Sequence, residues 1–348
     1  ELPPCDDDWP LIRDLRTQNH EIFQVIYTQG KHTEWHFFWM KHLVPILRDD
    51  CDADGLMIHA HRVSQWKNDD PAGVSAYWAE VLSLESVDKS QLISSMARGI
   101  AQVDEYHLGL YVPLLVELIK LPRPQYSFLG HALAYGVKKG GLDDAILWQY
   151  IVDEISDEDV LSYNLENKLH CQPHEFGSRN DKFLATRMKE STRLLDLALT
   201  TIEKWSEIKR SRYGYAPLSY RSFFLQDTSY ADVHSQNEIH HIDSKRVLLD
   251  AVETAIVHHA ATQSTWWQNN RKRLCFSEEG SLRYFAILAC ITTPTANIDI
   301  ISSILCEKTL LESDLSYEVG TLIQKTFLQL EATTQNLILS TILTLHEQ

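Results

Sequence analysis

The chain has 348 residues, 44% hydrophobic and 23% charged, and a formal net charge of −16. This composition suits a folded soluble protein with room for two domains or an elongated array, and it is too apolar for disorder. The acidic balance disfavours phosphate-rich partners such as nucleic acid, and no run of eighteen apolar residues is present to span a membrane.

Helix signals dominate from Asp70 onward. Asp70-Pro71 pairs an N-cap with Pro at the first helical position, and Val74, Tyr77, Trp78, Val81 and Leu82 follow at helical spacing. A second helix is expected over 90–102. A third carries Leu110, Leu114 and Leu118 and stops at Pro122 and Pro124. A fourth, over 125–138, ends at Gly140-Gly141, and a fifth carries Leu142, Ile146, Ile151, Val152 and Ile155. One long helix is expected over 181–209, with Leu184, Met188, Leu195, Ala198, Ile202 and Trp205 on one face. A stretch without a period, 211–243, is read as a long ordered aromatic loop containing Tyr213, Tyr215, Tyr220, Phe223, Phe224 and Tyr230.

The helical rhythm resumes with Leu248, Ala251, Val252, Ala255, Ile256 and His259. It continues with Leu282, Phe285, Ala286 and Ala289, ended at Thr292-Thr293-Pro294. Asn297 is placed as the cap of a helix bearing Ile298, Ile301 and Leu305. Leu315, Val319, Leu322, Ile323, Phe327 and Leu330 form the next stripe. Strict alternation is almost absent, so strands are not expected.

Short connections and hairpin order predict an all-α fold, an irregular α-solenoid of HEAT/TPR-like helical hairpins, with a single irregular helical domain as the rival. No exact repeat recurs, and the Trp, Gly, Tyr and Pro spacing of TPR units is missing, which favours the HEAT-like form. The polar tract 157–179 suggests a join, giving N-terminal hairpins over 1–156 and a C-terminal array over 157–348 that includes the aromatic loop.

The start, Glu1-Leu2-Pro3-Pro4, has none of the features of a signal peptide. It lacks a Met, and the apolar rhythm through Leu337, Ile338, Ile342 and Leu345 meets no capping Gly. These ends read as those of a segment of a longer polypeptide. Cys5, Cys51, Cys171, Cys275, Cys290 and Cys306 are scattered without a Cys-x-x-Cys, which fits a reducing cytoplasm. Cys290 and Cys306 are expected to pack as small hydrophobes.

No catalytic residue and no cofactor is assigned. Gly30-Lys31-His32-Thr33 lacks the first Gly of a phosphate loop and has its Thr displaced. Gly-rich dinucleotide loops and Gly-x-Ser-x-Gly elbows are absent, and Asp6-Asp7-Asp8 and Asp49-Asp50 read as solvated termini and loops. His234, His240, His241, Asp243, His258 and His259 include metal-ligand residue types, but their spacing matches no metal signature. Adjacent histidines on a helix also face different ways. The basic groups Lys209, Arg210, Arg212 and Arg271, Lys272, Arg273 are expected to meet helix dipoles rather than a ligand.

Within the aromatic tract, Phe223 and Phe224 are expected to pack on the scaffold. Tyr213, Tyr215 and Tyr230 are expected to be more exposed and are the candidate partner-binding residues.

The stretch Arg221-Ser222-Phe223-Phe224-Leu225-Gln226-Asp227-Thr228-Ser229-Tyr230, together with 248–260 and 311–327, resembles very large bacterial STAND-type NTPases. The resemblance covers mainly the second half of the chain. It implies the helical-repeat sensor region of an antiviral ATPase, without its P-loop and without any catalytic residue. The partner implied is a protein, a viral one included, or other domains of the same polypeptide. The expected function is thus a non-enzymatic recognition scaffold. The alternatives are an autoinhibitory domain of an NTPase and an all-helical metal enzyme built on the His-rich tract.

Overall fold

The computed structural model describes residues 3–30, 32–123, 127–162, 164–177, 182–214, 218 and 244–346. Among them every regular element is helical, and no strand is present. No helix of the described residues is long and apolar enough to cross a membrane. The chain divides into two compact units, Glu1–Ile146 and Leu147–Gln348.

The first unit is built from α1 (Trp9–Gln18), α2 (His20–Gln29), α3 (Thr33–Asp49), α4 (Ala53–Val63), α5 (Pro71–Ser83), α6 (Lys89–Ile100), α7 (Val112–Leu118) and α8 (Leu129–Lys139). The division falls within α9 (Asp144–Ile151). Local chemistry fixes several of these ends. The Asp70 carboxylate accepts the Gly73 N–H at 3.0 Å, and Pro71 follows it. Asp52 caps α4 in the same way through the Gly55 N–H, at 2.9 Å. The expected third helix starts as a 3-10 turn over Glu105–Tyr111 before becoming α7. α1 packs on α2 and α3 on α4, and a row runs α4 to α6 to α8. Trp39, Val63, Val74, Trp78, Leu92, Ile93, Leu115 and Leu133 are fully buried in this unit.

The second unit contains α10 (Asp157–Val160), α11 (Asn164–Lys168), α12 (Phe183–Glu190), α13 (Thr192–Tyr213) and α14 (Ser244–Ala261). These are followed by α15 (Thr265–Cys275), α16 (Gly280–Thr292), α17 (Ile298–Ile304), α18 (Lys308–Leu311), α19 (Ser316–Thr326) and α20 (Ala332–His346). A second row runs α12 to α14 to α16 to α19. α16 is its centre, with every residue from Gly280 to Ile291 buried. That burial includes Arg283, whose Nη1 meets Glu307 at 2.7 Å and whose Nε donates to the Ser277 carbonyl at 2.7 Å. A buried guanidinium is tolerated because its charge and its donors are both matched.

The structure departs from the sequence reading at three places here. The single helix expected over 181–209 is two, because Ser191 leaves helical geometry and its hydroxyl accepts the Leu194 N–H at 3.2 Å to start α13 afresh. Ser191→Ala is therefore expected to cost about 1 kcal/mol, as lost N-caps do, measured as a shift in urea midpoint at constant slope. α13 then runs beyond the expected end to Tyr213, stopped by Gly214 in the left-handed region at φ 68°. Asn297 stands at the N-cap position of α17 but does not cap it. Its side chain instead accepts the Trp267 indole N–H at 2.8 Å and donates to Thr293.

Candidate functional site

The aromatic loop lies mostly outside the described residues, as do Tyr215, Tyr220, Phe223, Phe224 and Tyr230 and the histidines at 234, 240 and 241 with Asp243. Tyr213 is described. It sits on the last turn of α13, 54% exposed, with the Lys209 ammonium 5.8 Å from its ring centre. His258 and His259 diverge as adjacent helical residues must. His258 is exposed, while His259 is buried with Nδ1 3.0 Å from the Ser264 hydroxyl. Among the described residues no three His, Cys, Asp or Glu side chains stand together as a metal site.

Three residues of the basic groups are paired internally. Arg210 meets Glu279 at 2.8 Å, Arg271 forms a two-pronged pair with Asp299 at 2.8 and 3.0 Å, and Arg273 pairs with Glu203. Lys209 is buried, and burial, with Lys245 nearby, pushes its ammonium down to about 8. Cys290 and Cys275 are buried, but Cys306 is exposed, contrary to the packing expected of it. It follows the end of α17 and lies off the apolar stripe of that helix.

A helix N-terminus in this unit is already occupied. The Glu166 carboxylate accepts the backbone N–H groups of Ser244 and Lys245, the latter at 3.1 Å, so the start of α14 is neutralised by the chain's own anion.

The densest unmatched polar chemistry lies in the first unit, between α2, α3, α4 and the start of α5. The Tyr27 hydroxyl on α2 lies 2.8 Å from Nδ1 of His59 on α4. The Arg62 guanidinium, one turn on from His59, lies 4.1 Å from the centre of the Tyr27 ring, and its Nη2 donates to the Gly30 carbonyl at 2.7 Å. On α3, Trp35 and Trp39 are stacked with ring centres 5.4 Å apart, and Trp39 meets Tyr27 edge-on at 5.3 Å. Trp35 packs so closely on Gly30 that a Cβ there would lie 2.7 Å from its Cγ, which explains the glycine. His36 stacks on Trp66 at 4.5 Å, its Nε2 3.5 Å from Asp70.

These groups are unusual in what they lack. The indole N–H of Trp35 and of Trp39, both ring nitrogens of His36, Nε2 of His59 and Nη1 of Arg62 are buried without a hydrogen-bond partner. Arg62 forms no ion pair with a carboxylate of the described residues. Buried polar atoms are normally matched, so a concentration of unmatched ones is uncommon.

Burial governs their protonation. His59 is pushed down to about 3, first by burial and then by the positive potential of His36 and Arg62, so its imidazole is neutral. Burial lowers His36 too, opposed by Asp70. Burial also pushes the Tyr27 phenol up to about 12, against the pull of Arg62.

Of these residues only Gly30, in the rejected phosphate loop, and Asp70, as a helix cap, were singled out from the sequence. Trp35 and Trp39 are four apart, and His59 and Arg62 three apart, so each pair shares a helix face. That spacing was the available signal, but core aromatics have the same one. Comparison of the chain with protein-family models, curated proteins and solved structures finds no match.

Proposed function

We propose that this chain is a non-enzymatic helical scaffold that recognises a protein. The observation that carries the reading is a set of large apolar side chains left in water on four successive helices of the first unit. They are Leu11 on α1 at 67% exposure, Ile22 and Val25 on α2, Phe37 on α3 and Ile58 on α4. Ile22 and Val25 are three apart and share one side of α2. Large apolar side chains left in water are surface that a protein partner can cover.

The packing rows α4–α6–α8 and α12–α14–α16 support the solenoid form of this reading within each unit, since stacked hairpins place every second helix side by side. The narrower version, a sensor region of a STAND-type antiviral NTPase with a viral protein as partner, rests on the resemblance in 221–230, 248–260 and 311–327.

The test is the double variant Ile22→Lys, Val25→Lys. Both side chains are solvent-exposed, so its melt is expected to match the wild type to within about 0.5 kcal/mol. Cross-linking in the native host, followed by denaturing purification, is expected to capture a protein on the wild-type chain and lose it on the variant. A captured peptide from the same polypeptide would favour an autoinhibitory role instead. Failure of the wild type to capture any protein that the variant loses would overturn the reading.

A further inference from the structure

We infer that the cluster around Tyr27 is a binding site for a small oxyanion of the carboxylate or phosphate class. The unmatched groups share one polarity. The indole N–H of Trp35, the indole N–H of Trp39 and Nη1 of Arg62 can only donate, and all three are buried without acceptors.

The three side chains that carry them also pack against the same stretch, the C-terminal end of α2. Trp35 lies against Gly30 and Trp39 against Tyr27, while Arg62 binds the Gly30 carbonyl and lies over the Tyr27 ring. Nε2 of His59 adds a fourth buried polar atom, and with the Tyr27 hydroxyl donating to Nδ1 it too is an N–H donor.

A water molecule brings two protons of its own and needs acceptors for them. An oxyanion brings only acceptor oxygens, and it supplies the negative charge that the guanidinium lacks among its neighbours. Trp35 and Arg62 are only partly buried, which places the way in at this edge of the cluster. The site owes nothing to a glycine-rich loop. Its donors are side chains from two helices, and Gly30 serves only to let Trp35 approach.

The experiment is a titration of the full chain with sodium phosphate and, separately, sodium acetate at constant ionic strength, followed by calorimetry and by thermal melting. Saturable binding of at least one anion is expected, with a rise in melting temperature that chloride does not give. Arg62→Gln should abolish both effects. Arg271→Gln, which breaks only the exposed pair with Asp299, should leave them intact. Trp35→Phe keeps a ring against Gly30 and removes one donor. It should weaken binding about tenfold, the loss expected for one charge-assisted hydrogen bond, and it serves if Arg62→Gln does not fold. Absence of saturable binding to either anion, or equal binding by wild type and Trp35→Phe, would overturn the assignment and leave ordered water as the partner of these donors.

Discussion

Replacing Trp267 by Ala is expected to destabilise the second unit by about 3–5 kcal/mol, the range for a buried Trp reduced to Ala. Trp267 is fully buried on α15, and its indole N–H is the donor held by Asn297. Truncation removes the ring and its packing, and it also strands the Asn297 oxygen in a buried place. Trp267→Phe separates the two losses. It keeps most of the volume and removes only the hydrogen bond, so about 1–3 kcal/mol is expected, the cost of an unmatched buried polar group. Asn297→Leu should cost at least as much, because it removes this bond from the other side together with the Asn297 donations to Thr293. If the double variant Trp267→Phe, Asn297→Leu costs much less than the sum of the two single changes, the bond itself is the coupling. Urea unfolding followed by circular dichroism gives all four values. A cost below about 1 kcal/mol for Trp267→Ala would show that α15 does not depend on this contact.

Acidification is expected to loosen the first unit through His59. Its folded-state value of about 3 lies below the ordinary 6.5. Between these limits the unfolded chain takes up a proton that the folded chain refuses, so stability falls as pH falls. The slope is at most about 1.4 kcal/mol per pH unit, and the loss between pH 7 and pH 5 is about 2 kcal/mol. His36, also lowered by burial, acts in the same direction.

Glu253 on α14 opposes them over part of the range. Burial, with Asp250 nearby, raises it to about 7 from 4.5, so the folded chain holds a proton there that the unfolded chain releases. Its contribution to stability is present below 4.5 and lost as pH rises through 7. A melt of the whole chain would mix the two effects, and they belong to different units. Hydrogen exchange of peptides from α2 and α4 at pH 7 and pH 5, corrected for intrinsic rate, isolates the first. Protection there should drop on acidification in the wild type and much less in His59→Gln. An equal drop in both would mean that His59 is not the group responsible.

Much of the helix pattern is legible because the signals that make it are local. Asp70-Pro71 starts α5, Gly140 follows the last residue of α8, and the stripe Leu248, Ala251, Val252, Ala255, Ile256 is buried along α14. Caps, breakers and apolar spacing act within a few residues, so they can be read in order along the chain. Ser191 was legible in principle for the same reason. The continuous apolar face across 184–205 hid it, because a break capped in place leaves the burial pattern on either side intact.

What the sequence by itself determined was therefore the helical class, most helix positions from Asp70 onward, and the absence of any familiar catalytic motif. The tertiary structure alone decided which polar groups meet and which go unmatched. Tyr27 and His59 are 32 positions apart, and Trp267 and Asn297 are 30 apart. A hydrogen bond between such residues depends on how separate helices pack, and nothing in the spacing along either helix encodes it. The same holds for Arg62, in the last turn of α4. Only the approach of α4 to α2, with the Tyr27 and Trp66 rings beside the guanidinium, buries part of it and leaves it without an acid among the described residues, and a charge is unmatched only relative to neighbours that the fold selects.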